Sequence, residues 1–231
     1  MRDTEIDEAL ARATAAPRPL PAALLQSIAG SIGPTLAPVR PLPRSGILAV
    51  AVLLLSAAVA LAGAMRIGFA GFAAMPTTTR VIIFGLLTLF GCLAAAHMVT
   101  RWVPGSRSRI TSSGLLALVG LGLLAVFGFL FQDYRTSHFL SGGIACLATG
   151  LLWALPAALV SLWWLRRGWV VNPVSAGAAA GVLAGLAGLA LLELHCANFQ
   201  ASHVLVWHVL VPLVSAAVGA TLGRLLGNSA P

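Results

Sequence analysis

The sequence predicts an all-α, polytopic membrane protein: a six-transmembrane-helix bundle with a short cytoplasmic N-terminal tail. Three observations carry that prediction. The 231-residue chain is 59% hydrophobic and 9% charged, with mean hydropathy +0.96, which leaves too little polar surface to coat a soluble globule. Six apolar stretches are long enough to cross a hydrocarbon core about 30 Å thick, which takes roughly 20 helical residues. Arginine, the only basic residue besides histidine, is distributed asymmetrically between the segments that join those stretches.

The tail, residues 1–45, comes first. Thr4-Glu5-Ile6-Asp7 fits a helix-start capping pattern, and Ile6, Leu10 and Ala13 recur on one face. Four of the six acidic residues, Asp3, Glu5, Asp7 and Glu8, belong to this helix. They read equally as a solvated helix start favoured by the dipole and as an acidic docking element for a basic partner. A second helix is expected over Ala22 to Ile32, where Leu24, Leu25, Ile28 and Ile32 form an apolar stripe. Prolines at 17, 19, 21, 34, 38, 41 and 43 break helix and favour an extended linker. A segment this small cannot build a core of its own, so the tail is expected to order on a partner.

The six-helix domain is expected over residues 46–226, followed by a short cytoplasmic end at 227–231. The spans are placed at Gly46 to Met65, Val81 to Thr100, Gly114 to Phe131, Gly142 to Leu165, Val174 to Leu194 and Val204 to Leu226. The first begins behind a charged, proline-rich tail and lacks the position and flanks of a cleaved signal peptide. Eleven of the 14 arginines fall in the tail, the second and fourth loops and the C-terminal end; Arg66, Arg80 and Arg135 fall on the other side. Basic residues are retained in the cytoplasm, so both termini are predicted inside. The net charge of +8 is thereby explained by topology and gives no reason to expect direct nucleic-acid binding.

Within the fifth span, Gly177, Gly181 and Gly185 recur every four residues, a spacing that lets helices approach closely and marks this span as the packed centre of the bundle. Pro156 and Pro212 are expected kinks. No Asp, Glu, Arg or Lys falls at the middle of any predicted span, which weakens an ion- or proton-coupled transport reading. Cys92 and His97, in the cytoplasmic half of the second span, read as buried packing or as an interfacial histidine.

The outer face carries the chemistry. The fourth span delivers Cys146 about 6 Å below its outer end, and the fifth delivers Cys196 to the same face. The thiols can meet if these helices are neighbours. Glu193, His195, His203 and His208 lie within 16 residues around Cys196, and His138 lies in the preceding outer loop. A Cys/His set suits a transient soft metal ion of the zinc, cadmium or copper class, although the spacing matches no fixed motif and no cofactor is firmly implied. The competing reading places the histidines with Trp207 in the headgroup belt.

The acidic helix Asp3 to Leu10, the linker Pro38-Val39-Arg40-Pro41-Leu42, six spans, Cys146-Leu147 with Ala154-Leu155-Pro156-Ala157, Arg166-Arg167-Gly168 with Pro173, and His195-Cys196 followed by His203 and Trp207-His208 resemble the NrsF-like negative regulators of sigma F. The resemblance implies regulation rather than catalysis, in a bacterial inner membrane. An integral-membrane anti-sigma factor would sequester an extracytoplasmic-function sigma factor through residues 1–45, with Ile6, Leu10 and the four acids as contacts. Cys146 and Cys196 would be its outward-facing sensor pair. Cys92 and the additional histidines lie outside that pattern, and Arg66-Ile67-Gly68-Phe69 lacks the acidic residue expected there. A small metal or solute transporter and a membrane redox or haem protein stand as alternatives.

Overall fold

Backbone inside a bilayer must satisfy its own hydrogen bonds, and for long apolar runs the local solution is helix. The computed structural model describes residues 8, 21–32, 44–102, 110–136, 139–167, 170 and 172–227. It is an all-α bundle with six helices long and apolar enough to cross a membrane; the only extended pairing among the described residues is an isolated bridge between Asp133 and Gln200.

Two compact units divide the chain, Met1–Leu42 and Pro43–Pro231. In the first, α1 (Ala22–Ile32) forms where the sequence predicts it, with Leu24, Leu25 and Ile28 exposed. Glu8 is exposed, while Asp3, Glu5, Ile6, Asp7 and Leu10 lie outside the described residues.

The second unit opens with α2 (Ser45–Ile67), the short α3 (Ala70–Ala74) and α4 (Thr77–Trp102). It continues with α5 (Ser112–Leu130), α6 (Phe139–Arg167) and α7 (Pro173–His195). The last span is continuous through α8 (Ala201–His203), a π-helical turn (Val204–His208) and α9 (Val209–Gly227). α6 and α9 both run on past their prolines, Pro156 and Pro212. Side-chain caps begin two helices: Thr111 accepts from the Gly114 amide and Asn172 from that of Ser175, each relieving an unpaired first-turn donor.

α7 is the axis of the bundle, packing against α9, α6, α4 and α2, with buried residues from Ala176 through Leu194. Its glycines explain how. A Cβ at Gly177 or Gly181 would collide with the carbonyls of Gly219 or Ser215, and one at Gly185 with the Cα of Pro212. Further along the same glycine row Gly188 meets the carbonyl of Gly150 in α6. Without a solvent-driven hydrophobic force between helices in lipid, this close backbone approach supplies the dispersion contact that holds them.

Two expectations change here. α6 begins at Phe139 rather than Gly142, so Cys146 lies seven residues inside it, about 10 Å along the axis. Cys92 is exposed on the surface of α4 rather than buried, whereas His97, five residues on, is buried.

Candidate functional site

Three chain segments converge at the end of the bundle where α7 stops. α6 supplies Cys146. α7 supplies Glu193 and terminates at His195, so that Cys196 becomes its C-cap, with an extended backbone and its amide bonded to the Leu192 carbonyl. The final span supplies His203 and His208. These two lie five residues apart, which in an α-helix rotates them about 500° and leaves them on different faces. The π turn corrects this by bonding each amide to the carbonyl five residues back, here Val209 N–H to Val204, so the fifth residue comes round over the first. The His203 and His208 rings consequently sit 5.2 Å apart, edge to face. Pro212 follows in the same helix and offers no amide to the carbonyl of residue 208, so the α-helical ladder is interrupted just beyond the turn.

The sulfurs of Cys146 and Cys196 are 3.6 Å apart as free thiols. Cys196 Sγ lies 3.7 Å from His203 Nε2. His208 is fully buried and donates from Nδ1 to the equally buried Glu193 carboxylate at 2.7 Å. Its Nε2 is buried without a hydrogen-bond partner. One ligating atom from each of Cys146, Cys196, His203 and His208 falls within 4.8 Å of every other. Hydrogen bonding to Cys146, together with burial, pushes the Cys196 thiol above its ordinary value, against the opposing pull of His203 and His208.

The remaining candidates are placed differently. His195 turns away and donates from Nδ1 to the Gly68 carbonyl at 3.3 Å, tying the end of α7 to the α2–α3 connection. Glu193 stands behind His208 rather than among the four donors, and His138 lies outside the described residues. Gly71, on α3, was not singled out by sequence. A Cβ there would come within 2.5 Å of the Cys196 carbonyl oxygen, so α3 braces the backbone that presents the thiol. Above the cluster, the α5–α6 connection is stitched to the start of α8: the Ala201 amide donates to the Asp133 carbonyl at 2.6 Å, and Ser202 Oγ to that of Arg135.

At the other end of α7 lies a second polar group. His97 Nε2 meets Ser112 Oγ at 2.9 Å, and Ser112 Oγ meets Ser175 Oγ at 2.6 Å, joining α4, α5 and α7. Arg101 donates to the Ile110 carbonyl at 3.2 Å beside it.

Fold and site together define a polytopic α-helical membrane protein with a cluster of half-buried thiol and buried imidazole donors at one end of its central helix. The chain belongs to the NrsF family, negative regulators of sigma F, whose model matches residues 34–227. No curated protein and no solved structure matches it.

Proposed function

We propose that this chain is an anti-sigma factor of the bacterial inner membrane that holds an extracytoplasmic-function sigma factor through residues 1–45 and releases it under metal or oxidant stress. The observation that carries the reading is the 3.6 Å approach of Cys146 and Cys196 from two different spans. Family membership supplies the sigma factor; the arginine bias supports cytoplasmic termini, which put the tail on the partner's side and the thiols outside.

The switch is a change of distance. Two thiols lose two protons, and two electrons pass to an oxidant, when a disulfide forms at about 2.05 Å, so the outer ends of α6 and α7 are drawn together. A soft metal bridging the same sulfurs fixes a different separation. Because α7 is packed backbone to backbone on α9 and α6, it transmits such a shift as a body rather than absorbing it. A signal acts only through its differential affinity for the two arrangements. The tail contributes the acidic segment Asp3 to Leu10, with Ile6 and Leu10 as its apolar contacts and Asp3, Glu5, Asp7 and Glu8 as its charged ones.

The test uses the full-length chain in membranes. Wild type is expected to co-sediment the sigma factor, and Ile6→Glu with Leu10→Glu to lose at least tenfold of that retention at equal expression. Equal retention by the double variant removes the docking-helix reading.

A further inference from the structure

We propose that Cys146, Cys196, His203 and His208 form a tetrahedral site for a zinc-class divalent ion, with Glu193 as the outer carboxylate that orients His208. The proposal uses the cysteine pair of the preceding reading and rests on it for the consequence of binding, not for binding itself.

Geometry is the first support. Zinc bonds of about 2.3 Å to sulfur and 2.0–2.1 Å to nitrogen, at tetrahedral angles, place two sulfurs about 3.8 Å apart and a sulfur and a nitrogen about 3.6 Å apart. The Cys146–Cys196 and Cys196–His203 separations, 3.6 and 3.7 Å, already match. The remaining donor pairs, all within 4.8 Å, need to close by at most about 1.5 Å, which side-chain rotation provides.

The second support is the state of His208. Its Nδ1 is held by Glu193, and Nε2, the ring nitrogen left to meet an ion, is buried without a hydrogen-bond partner. A carboxylate behind a ligating imidazole is the arrangement that raises ligand basicity and holds the ring in place.

Charge is the third. Binding releases to solvent the protons of both thiols and any that His208 carries on Nε2, and the dication cancels the two thiolates, so the ion and its four ligands carry no net charge where an isolated ion would be expensive. Two sulfurs and two nitrogens in tetrahedral array select zinc-class ions over magnesium or calcium, which take oxygen donors.

The experiment titrates the reduced, detergent-purified full chain with Co2+ as a spectroscopic probe and then with Zn2+. Wild type is expected to bind one ion per chain, with the visible bands of tetrahedral cobalt and a thiolate-to-cobalt charge-transfer band that Zn2+ abolishes. Cys146→Ser and Cys196→Ser each lose the charge-transfer intensity of one thiolate. His208→Ala weakens binding at least a hundredfold, whereas Glu193→Gln keeps the tetrahedral spectrum and weakens binding 10- to 100-fold. His195→Ala and Cys92→Ser bind as wild type. Maleimide labelling of Cys146 and Cys196 in unmutated protein gives a readout free of folding effects: equimolar Zn2+ slows it at least tenfold. Substoichiometric cobalt binding, an octahedral spectrum, or labelling unaffected by Zn2+ overturns the site while leaving an oxidant-sensing cysteine pair standing. Stoichiometric binding without sigma-factor release overturns the sensor reading and not the site.

Discussion

The two ends of α7 both gather polar side chains from several helices and leave them in different chemical states. At one end His97, Ser112 and Ser175 close on one another through short hydrogen bonds between helices, with Arg101 spanning to the Ile110 carbonyl. At the other, two thiols approach without bonding covalently, and His203 Nδ1 and His208 Nε2 are buried with no hydrogen-bond partner. A closed network rigidifies; an open one stores a cost that a ligand or an oxidation can relieve. The histidine of the first end ties helices together, whereas those of the second keep ring nitrogens uncommitted.

That contrast can be broken most severely through the helix both ends share. Gly181→Leu would drive a side chain into the Ser215 backbone of α9, and overpacking of this kind costs about 1–3 kcal/mol or more. Loss of the folded, monodisperse protein in detergent is expected, with both ends failing together. A stable Gly181→Leu protein would show that the α7–α9 contact is not what couples them.

The next effect separates the ends. Ser112→Ala leaves His97 and Ser175 short of a buried partner, which costs about 1–3 kcal/mol. Melting should fall by several degrees while Cys146–Cys196 crosslinking by a mild oxidant is unchanged. Altered crosslinking would mean that this network tunes the thiols.

Gly71→Ala is expected to do the reverse. Its Cβ would press on the Cys196 carbonyl, so crosslinking should slow severalfold with little loss of melting temperature. Unchanged crosslinking kinetics would remove α3 as the brace.

The smallest effect belongs to Asp133, whose carboxyl is held below the usual carboxylate value by hydrogen bonds from the Arg135 side chain and backbone. A depressed folded-state value means that its contribution is present at neutral pH and fades as pH falls through that value. The pair is solvent-exposed, so Asp133→Asn should move the melting temperature at pH 7 by no more than measurement error, and any difference from wild type should vanish in acid. A large shift at pH 7 would mean that the α5–α6 connection is structural rather than a cover.

Much of this was legible in the sequence, and the rest has identifiable physical reasons. Helix existence follows from apolar length, so all six spans fall within a few residues of their predicted positions. The glycine register of α7 is visible because close packing demands small residues at fixed spacing. The proximity of Cys146 and Cys196 follows from span order once α6 and α7 are neighbours. What sequence does not display is rotation. His203 and His208 share a face only through the π turn, which a proline in the helix does not by itself announce, since α6 runs through Pro156 without one. Glu193 appears among the ligands by proximity in sequence, and only the Nδ1 contact places it behind them. His195, beside Cys196 in the chain, points instead to Gly68 because α7 ends between the two. The exposure of Cys92 was not legible because periodicity in an apolar helix does not distinguish a lipid-facing side from a protein-facing one.

The central claim is that Cys146 and Cys196 act as one unit upon the sigma factor, and it is tested most directly by sigma-factor retention on membranes before and after exposure to Cd2+ or a thiol oxidant. Wild type and Cys92→Ser should release it. Cys146→Ser, Cys196→Ser and the double variant should hold it to the same extent, because removing one member of a coupled pair removes the whole effect. Normal release by the double variant, inserted at wild-type level, would contradict the account.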